Sequence, residues 1–203
     1  EKNLILGLNE FKNRNYKNAK IYFNKLDPNF ENLYIYEILK ASLNAWSDFS
    51  ESKNFNDLKG LYSINSAYKN LTDIQTIFAK CYVNDLKTDI FFENIIQNKK
   101  ANFSRYNFFY ANYLYNQNKF EQSIKLAESA SAEYPRNLLI NQYLKFLNKE
   151  EKNRNKFNCN NTADIMSEIL YIFANVMSSQ QDYRLSNFYL NLSKFLNPNF
   201  LSH

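Results

Sequence analysis

The stretch from Ser104 to Asn137, SRYNFFYANYLYNQNKFEQSIKLAESASAEYPRN, constrains the fold most, because it sets a repeat length that the rest of the chain follows more loosely. It reads as two helices and a turn. Ala111 falls where the first helix touches the second, Phe120 opens the second helix, Ser123 and Ala130 are its small positions, and Pro135 ends it. Proline has no N–H for a continuing helix. Small residues at the contact let two helices approach closely. The return of this order about every 34 residues predicts stacked helix hairpins, each burying its apolar face against its neighbours.

Composition supports that reading. Hydrophobic residues are 45% and aromatics 17% of the 203 residues, spread along the whole length, so the chain can collapse around a core. With 2 Gly and 3 Pro there is little punctuation for tight β-hairpins, and helices joined by Asn-rich turns are expected. Roughly one residue in six is Asn, well above ordinary usage, which argues against a functional meaning for any single Asn, including the sequon-like triplets at Asn70, Asn102, Asn160 and Asn191. The net charge of +5 is mild and interspersed with acids. The basic clusters Lys12, Arg14, Lys17, Lys20 and Lys149, Lys152, Arg154, Lys156 read as solvated faces rather than a nucleic-acid track. Cys81 and Cys159 are distant, without a CxxC spacing, and imply no disulfide framework. No apolar run is long enough to span a membrane, and the start at Glu1 without Met suggests a removed leader or anchor.

Taken in order, the chain divides into units of about 1–31, 32–70, 71–103, 104–137, a half-unit 138–149, a loop 150–162, and 163–203. In the first, Leu4, Leu8 and Phe11 form a stripe at helical spacing, Gly7 stands at the close crossing, Ala19 and Phe23 follow, and Asp27 with Pro28 ends the unit early. The second sets Leu39, Leu43 and Trp46 against Phe55, Leu58 and Tyr62, with Asn54 and Asp57 at the helix start. The lone Trp46 reads as core. The third opens with Thr72 and Gln75 as a capping box, followed by Phe78, Ala79 and Tyr82, then Phe91, Phe92, Ile95 and Ile96. In the fourth, Asn118 and Glu121 mark the second helix start. Leu138 to Leu147 begins another repeat, and EEKNRNKFNCNNT interrupts it as a disordered insertion or proteolytic nick. Thr162 caps a last hairpin, Asp164 to Pro198, with Ala174, Tyr183, Ser186 and Leu190 at repeat positions. About eleven helices result.

These residues resemble the tetratricopeptide repeat family. The units at 104–137 and 163–203 carry the match, those at 1–31 and 71–103 follow it less fully, and Trp46 departs from it where Gly or Ala is usual. The broken middle and the closing LNPNF also resemble bacterial multi-repeat proteins that often carry an export signal, which implies an exported or periplasmic compartment rather than a cytoplasmic one. The resemblance implies an all-α solenoid, a right-handed superhelix acting as a non-enzymatic scaffold for a protein or peptide, with no cofactor. The first helices of each unit would line a concave groove. By resemblance the groove residues are Lys80 and Asn84, then Arg105, Phe108, Asn112, Tyr115 and Asn116, then Tyr171 and Asn175. An Asn amide there can pair with the backbone of an extended peptide, and Lys80 and Arg105 can hold a carboxylate. The full clamp of such family members is not reproduced, because Phe109 stands where it needs a cation.

Chemistry finds few candidates. The single His is the last residue, His203, and with only Gly7 and Gly60 there is no glycine-rich phosphate cradle. Asp85 with Asp89, and Asp164 with Glu168, are one helical turn apart, but they read as turn and first-turn acids rather than metal ligands or an acid–base pair. Two other roles compete with the scaffold: a substrate-recruiting domain of a larger enzyme, and a helical repeat that reads RNA. Phe195, Leu196, Phe200 and Leu201 would leave the C-terminal end apolar, which predicts either continuing helices or self-association through the last hairpin.

Overall fold

A computed structural model describes residues 1–26, 33–62, 69–98 and 101–201; the early end at Asp27 and Pro28 and the terminal His203 lie outside them. Among the described residues the protein is all-helical. In chain order the helices are α1 (Lys2–Lys12), α2 (Tyr16–Asn24), α3 (Leu33–Ser52), α4 (Lys59–Tyr62), α5 (Lys69–Tyr82), α6 (Thr88–Ile96), α7 (Tyr106–Asn116), α8 (Phe120–Glu133), α9 (Leu138–Leu147), α10 (Thr162–Ser179) and α11 (Tyr183–Leu196). A 3-10 turn at Phe55–Leu58 leads into α4. The chain forms two compact units, one of Glu1–Ala79 with Asn161–Asn197, the other of Lys80–Asn160 with Pro198–His203.

One turn geometry recurs. Arg14, Asn84, Asn118 and Gln181 follow α1, α5, α7 and α10, each at a φ between 55° and 63°. In each case the next N–H reaches back to a carbonyl five residues earlier: Asn15 to Glu10, Asp85 to Lys80, Lys119 to Leu114 and Asp182 to Met177, all at 2.9–3.0 Å. That left-handed closure satisfies carbonyls the helix end would otherwise orphan. Glycine is its usual residue, and here Asn, Arg and Gln take its place.

In the first unit, α1 and α2 cross at Gly7, where an added Cβ would stand 2.4 Å from Phe23 Cε1. Trp46 is wholly buried, and its Nε1 donates to Gln75 Oε1 at 3.0 Å while Gln75 Nε2 donates to Ser42 Oγ at 3.1 Å, which ties α5 to α3. Gln75 and Thr72 therefore do not open a helix as the capping-box reading expects. The helix already begins at Lys69, and both side chains are buried inside it. The helices α10 and α11 meet through small residues, with Ser167 Oγ donating to the Ser193 carbonyl at 2.9 Å and Ser193 Oγ returning the bond at 2.6 Å. The cap of α10 is Asn161 rather than Thr162, its side chain accepting from the Ala163 N–H at 3.2 Å. Asp164 Oδ1 accepts from the Asn161 amide at 2.7 Å, which gives this acid a local structural partner.

In the second unit, α7 and α8 approach at Ala111, whose carbonyl accepts from Ser123 Oγ at 2.7 Å. Ala127 and Ala130 continue the buried face of α8. That helix starts after Lys119 with no side-chain cap, so Asn118 serves the left-handed turn instead of the cap expected of it. Lys119 pairs with Asp89 Oδ2 at 2.6 Å. Cys81 and Cys159, read from sequence as unrelated, form a disulfide with Cα atoms 5.8 Å apart, because the chain after α9 folds back onto the end of α5. That segment is also not a disordered insertion. Asn155, Phe157 and Cys159 are buried while Lys156, Asn158 and Asn160 are exposed, the period-two pattern of an extended strand with one covered face. Asn155 bridges Phe200 in antiparallel fashion, and the Lys156 N–H donates to the Asn199 carbonyl at 3.0 Å. Phe200 is therefore internal; Leu196, in the first unit, is buried as well, while Phe195 and Leu201 are exposed.

Candidate functional site

The helix α7 carries the densest set of expected binding residues. Arg105, the residue just before it, and its positions 108, 112 and 115 run along one face at helical spacing. The two ends of that face differ.

At the N-terminal end, Phe108 is wholly buried, edge-on to Tyr143 with ring centres 4.9 Å apart and to Phe200 at 5.5 Å. The Arg105 guanidinium lies over Phe200 at 5.3 Å and over Phe109 at 5.7 Å. Asn112 is 5% exposed; its Nδ2 donates to the Phe157 carbonyl at 2.9 Å, and its Oδ1 accepts from the Tyr143 hydroxyl at 3.4 Å. Burial raises the Tyr143 phenol well above its ordinary pKa, so it remains a neutral donor. An Asn was expected here to meet the backbone of a peptide, and it does meet a peptide carbonyl, one that belongs to the same chain.

At the C-terminal end the face is open. Tyr115 is half-buried, edge-on to Phe120 at 5.0 Å and to Phe146 at 5.5 Å. With Ile124 and Leu147 these rings wall a hollow of about 420 Å³, and Lys149 stands among its lining residues. Phe120 is 46% exposed. The Lys149 backbone is left-handed at φ 62°, held by its N–H to the Phe146 carbonyl at 2.9 Å, which places this lysine beside the α9 wall of the hollow. Sequence reasoning picked Tyr115 but missed Phe120, Phe146 and Lys149. In the sequence Phe120 reads only as a helix opener, and the period of α9 assigns Phe146 to a half-repeat with no partner.

The other expected residues are placed separately. Lys80 pairs with Asp85 at 3.1 Å and lies 4.7 Å from the Phe91 ring centre, so its charge is engaged within the second unit. The Lys87 N–H, with Lys80 beside it, holds the Asp85 carboxyl below its usual range. Asn84 is the left-handed turn residue, and Asn116 is exposed at the end of α7. Tyr171 and Asn175 belong to the first unit, where Asn175 Nδ2 donates to the Tyr171 carbonyl at 3.1 Å.

Two further recesses lie in the first unit. One, walled by Leu4, Ile35, Met177, Leu185 and Tyr189, holds about 30 Å³, room for roughly one water and not for a ligand. The other is polar and open, at Arg14, Lys17 and Glu51. One of its cations is partly neutralised, Lys17 by Glu51 at 3.1 Å. Among the described residues no group of His, Cys, Asp and Glu is arranged to hold a metal ion, and no helix is long and apolar enough to cross a membrane. No protein-family model, no curated protein and no solved structure matches this chain.

Proposed function

We propose that this chain is a non-enzymatic protein-interaction module, a tetratricopeptide-like array of helix hairpins that binds a peptide or helix of a partner protein along α7. The observation that carries the reading is the open hollow at Tyr115, Phe120 and Phe146 beside Lys149. Aromatic walls with a cation beside them suit an apolar side chain carried next to a carboxylate. The left-handed turn after α1, α7 and α10 supports the repeat character, since one local geometry closes three packed hairpins of different sequence. The Cys81–Cys159 disulfide is consistent with an oxidising compartment and so with export.

The test is a peptide array probed with the intact chain and with Phe120→Ser and Lys149→Glu, both exposed positions that leave the core untouched. Phe120→Ser should weaken captured peptides about tenfold or more, the size of an interface anchor. Lys149→Glu should weaken mainly the acidic ones. Equal capture by all three proteins removes the reading, and retention of single-stranded RNA that falls steeply with salt would replace it with the nucleic-acid alternative.

A further inference from the structure

The covered half of α7 is built like an occupied peptide site. Residues 155–158 run extended into a turn at 159–160, and the side chains of 155, 157 and 159 are turned in. The inward Phe157 ring meets Phe109 edge-on at 4.7 Å, and its carbonyl takes the Asn112 amide at 2.9 Å. On either side the inward residues are Asn155, whose Nδ2 donates to Gln142 Oε1 at 3.1 Å, and Cys159, tied to Cys81. Side-chain pockets at every second position and a side-chain amide on the main chain are how a protein surface takes up an extended segment. The segment's own side chains satisfy some of its N–H groups, Asn153 Oδ1 for Asn155 and Asn158 Oδ1 for Asn160, both at 2.9 Å. The α7–α8 contact at Ala111 and Ser123 involves none of its residues.

We propose that the face of α7 formed by Arg105, Phe108, Phe109 and Asn112 is a peptide-binding site held shut by the chain's own residues 155–159. The partner it fits is an extended segment with one aromatic residue, flanked two positions to each side by small or polar residues. This site lies apart from the hollow at Tyr115 and stands whether or not that hollow binds. The tethered segment competes at an effective concentration in the millimolar range, so a partner enters only when it outcompetes the segment or when the segment's own anchors, Phe157 and the Cys81–Cys159 bridge, are lost.

The probe is a dye-labelled, N-acetylated peptide of residues 153–160 carrying Cys159→Ser. It is titrated against the oxidised full chain and against a chain with Cys81→Ser, Cys159→Ser and Phe157→Ala, which opens the disulfide and removes the aromatic anchor so that the segment no longer competes. The oxidised chain should bind at least tenfold more weakly than the triple variant, whose melting temperature should rise with peptide concentration by mass action. A peptide with alanine in place of its phenylalanine should do neither. Adding Asn112→Asp, which keeps the acceptor for Tyr143 and loses the donor, should abolish binding. If the triple variant is unfolded, Phe157→Leu replaces Phe157→Ala. No binding to a folded variant, or equal binding of the two peptides, overturns the proposal.

Discussion

Gly7 and Gly60 both lie in helices, where alanine is ordinarily favoured by about 1 kcal/mol. At Gly60 nothing stands within 4 Å of an added Cβ, so Gly60→Ala should raise stability by roughly 0.5–1 kcal/mol. At Gly7 the same methyl would enter the wholly buried Phe23 ring, and overpacking of this kind costs about 1–3 kcal/mol. Gly7→Ala should therefore lower the urea midpoint while Gly60→Ala raises it. Tyrosines give a second prediction at this scale. Burial first, then nearby carboxylates, raises Tyr110; burial raises Tyr113 and Tyr143; and burial pushes Tyr189 up to about 12, all from an ordinary 10.0. A raised folded value means the neutral phenol is favoured by folding. The stabilisation is complete below pH 10.0 and is lost as pH rises through the folded values. Phenolate absorbance should show a group of tyrosines ionising late, together with alkaline unfolding.

Helix positions follow apolar period and small contact residues closely, as at Ala111 with Ser123, but helix starts follow pattern unevenly: Asn54 does cap the turn at Phe55–Leu58, accepting from the Asn56 N–H at 3.0 Å. With Asn so frequent, capping patterns occur by chance: Thr72 with Gln75 lies inside α5, and Asn118 supplies a left-handed turn. Where a side chain does cap, it can be tested. Asp182 Oδ1 accepts from the Leu185 N–H at 3.0 Å at the start of α11, and Asp182→Ala should cost about 1 kcal/mol in denaturant unfolding. The inward and outward alternation of residues 155–160 is legible in principle, in the order Asn, Lys, Phe, Asn, Cys, Asn. The segment's polarity conceals this, because only one of its inward residues is strongly apolar.

Across the whole molecule, the disulfide joins residues 78 apart and closes the second unit upon itself. Closing a loop of that length restricts the unfolded chain, and Cys81→Ser with Cys159→Ser should cost ~2–4 kcal/mol. Native-state hydrogen exchange should then show faster opening of α7 to α9. If their protection is unchanged, the bridge contributes no stability there. The sequence by itself determined an all-helical chain and, for α1 with α2 and α7 with α8, the small residues Gly7, Ala111 and Ser123 at which they cross, because periodicity and side-chain size act locally. Ser104 to Asn137 contained all of that for α7 and α8. What only the tertiary structure decided was which groups, distant along the chain, meet: Cys81 with Cys159, the Phe157 carbonyl with Asn112, and Phe146 with Tyr115. Such meetings depend on the path the chain takes after α9, and no local pattern in a polar, Asn-rich stretch encodes that path.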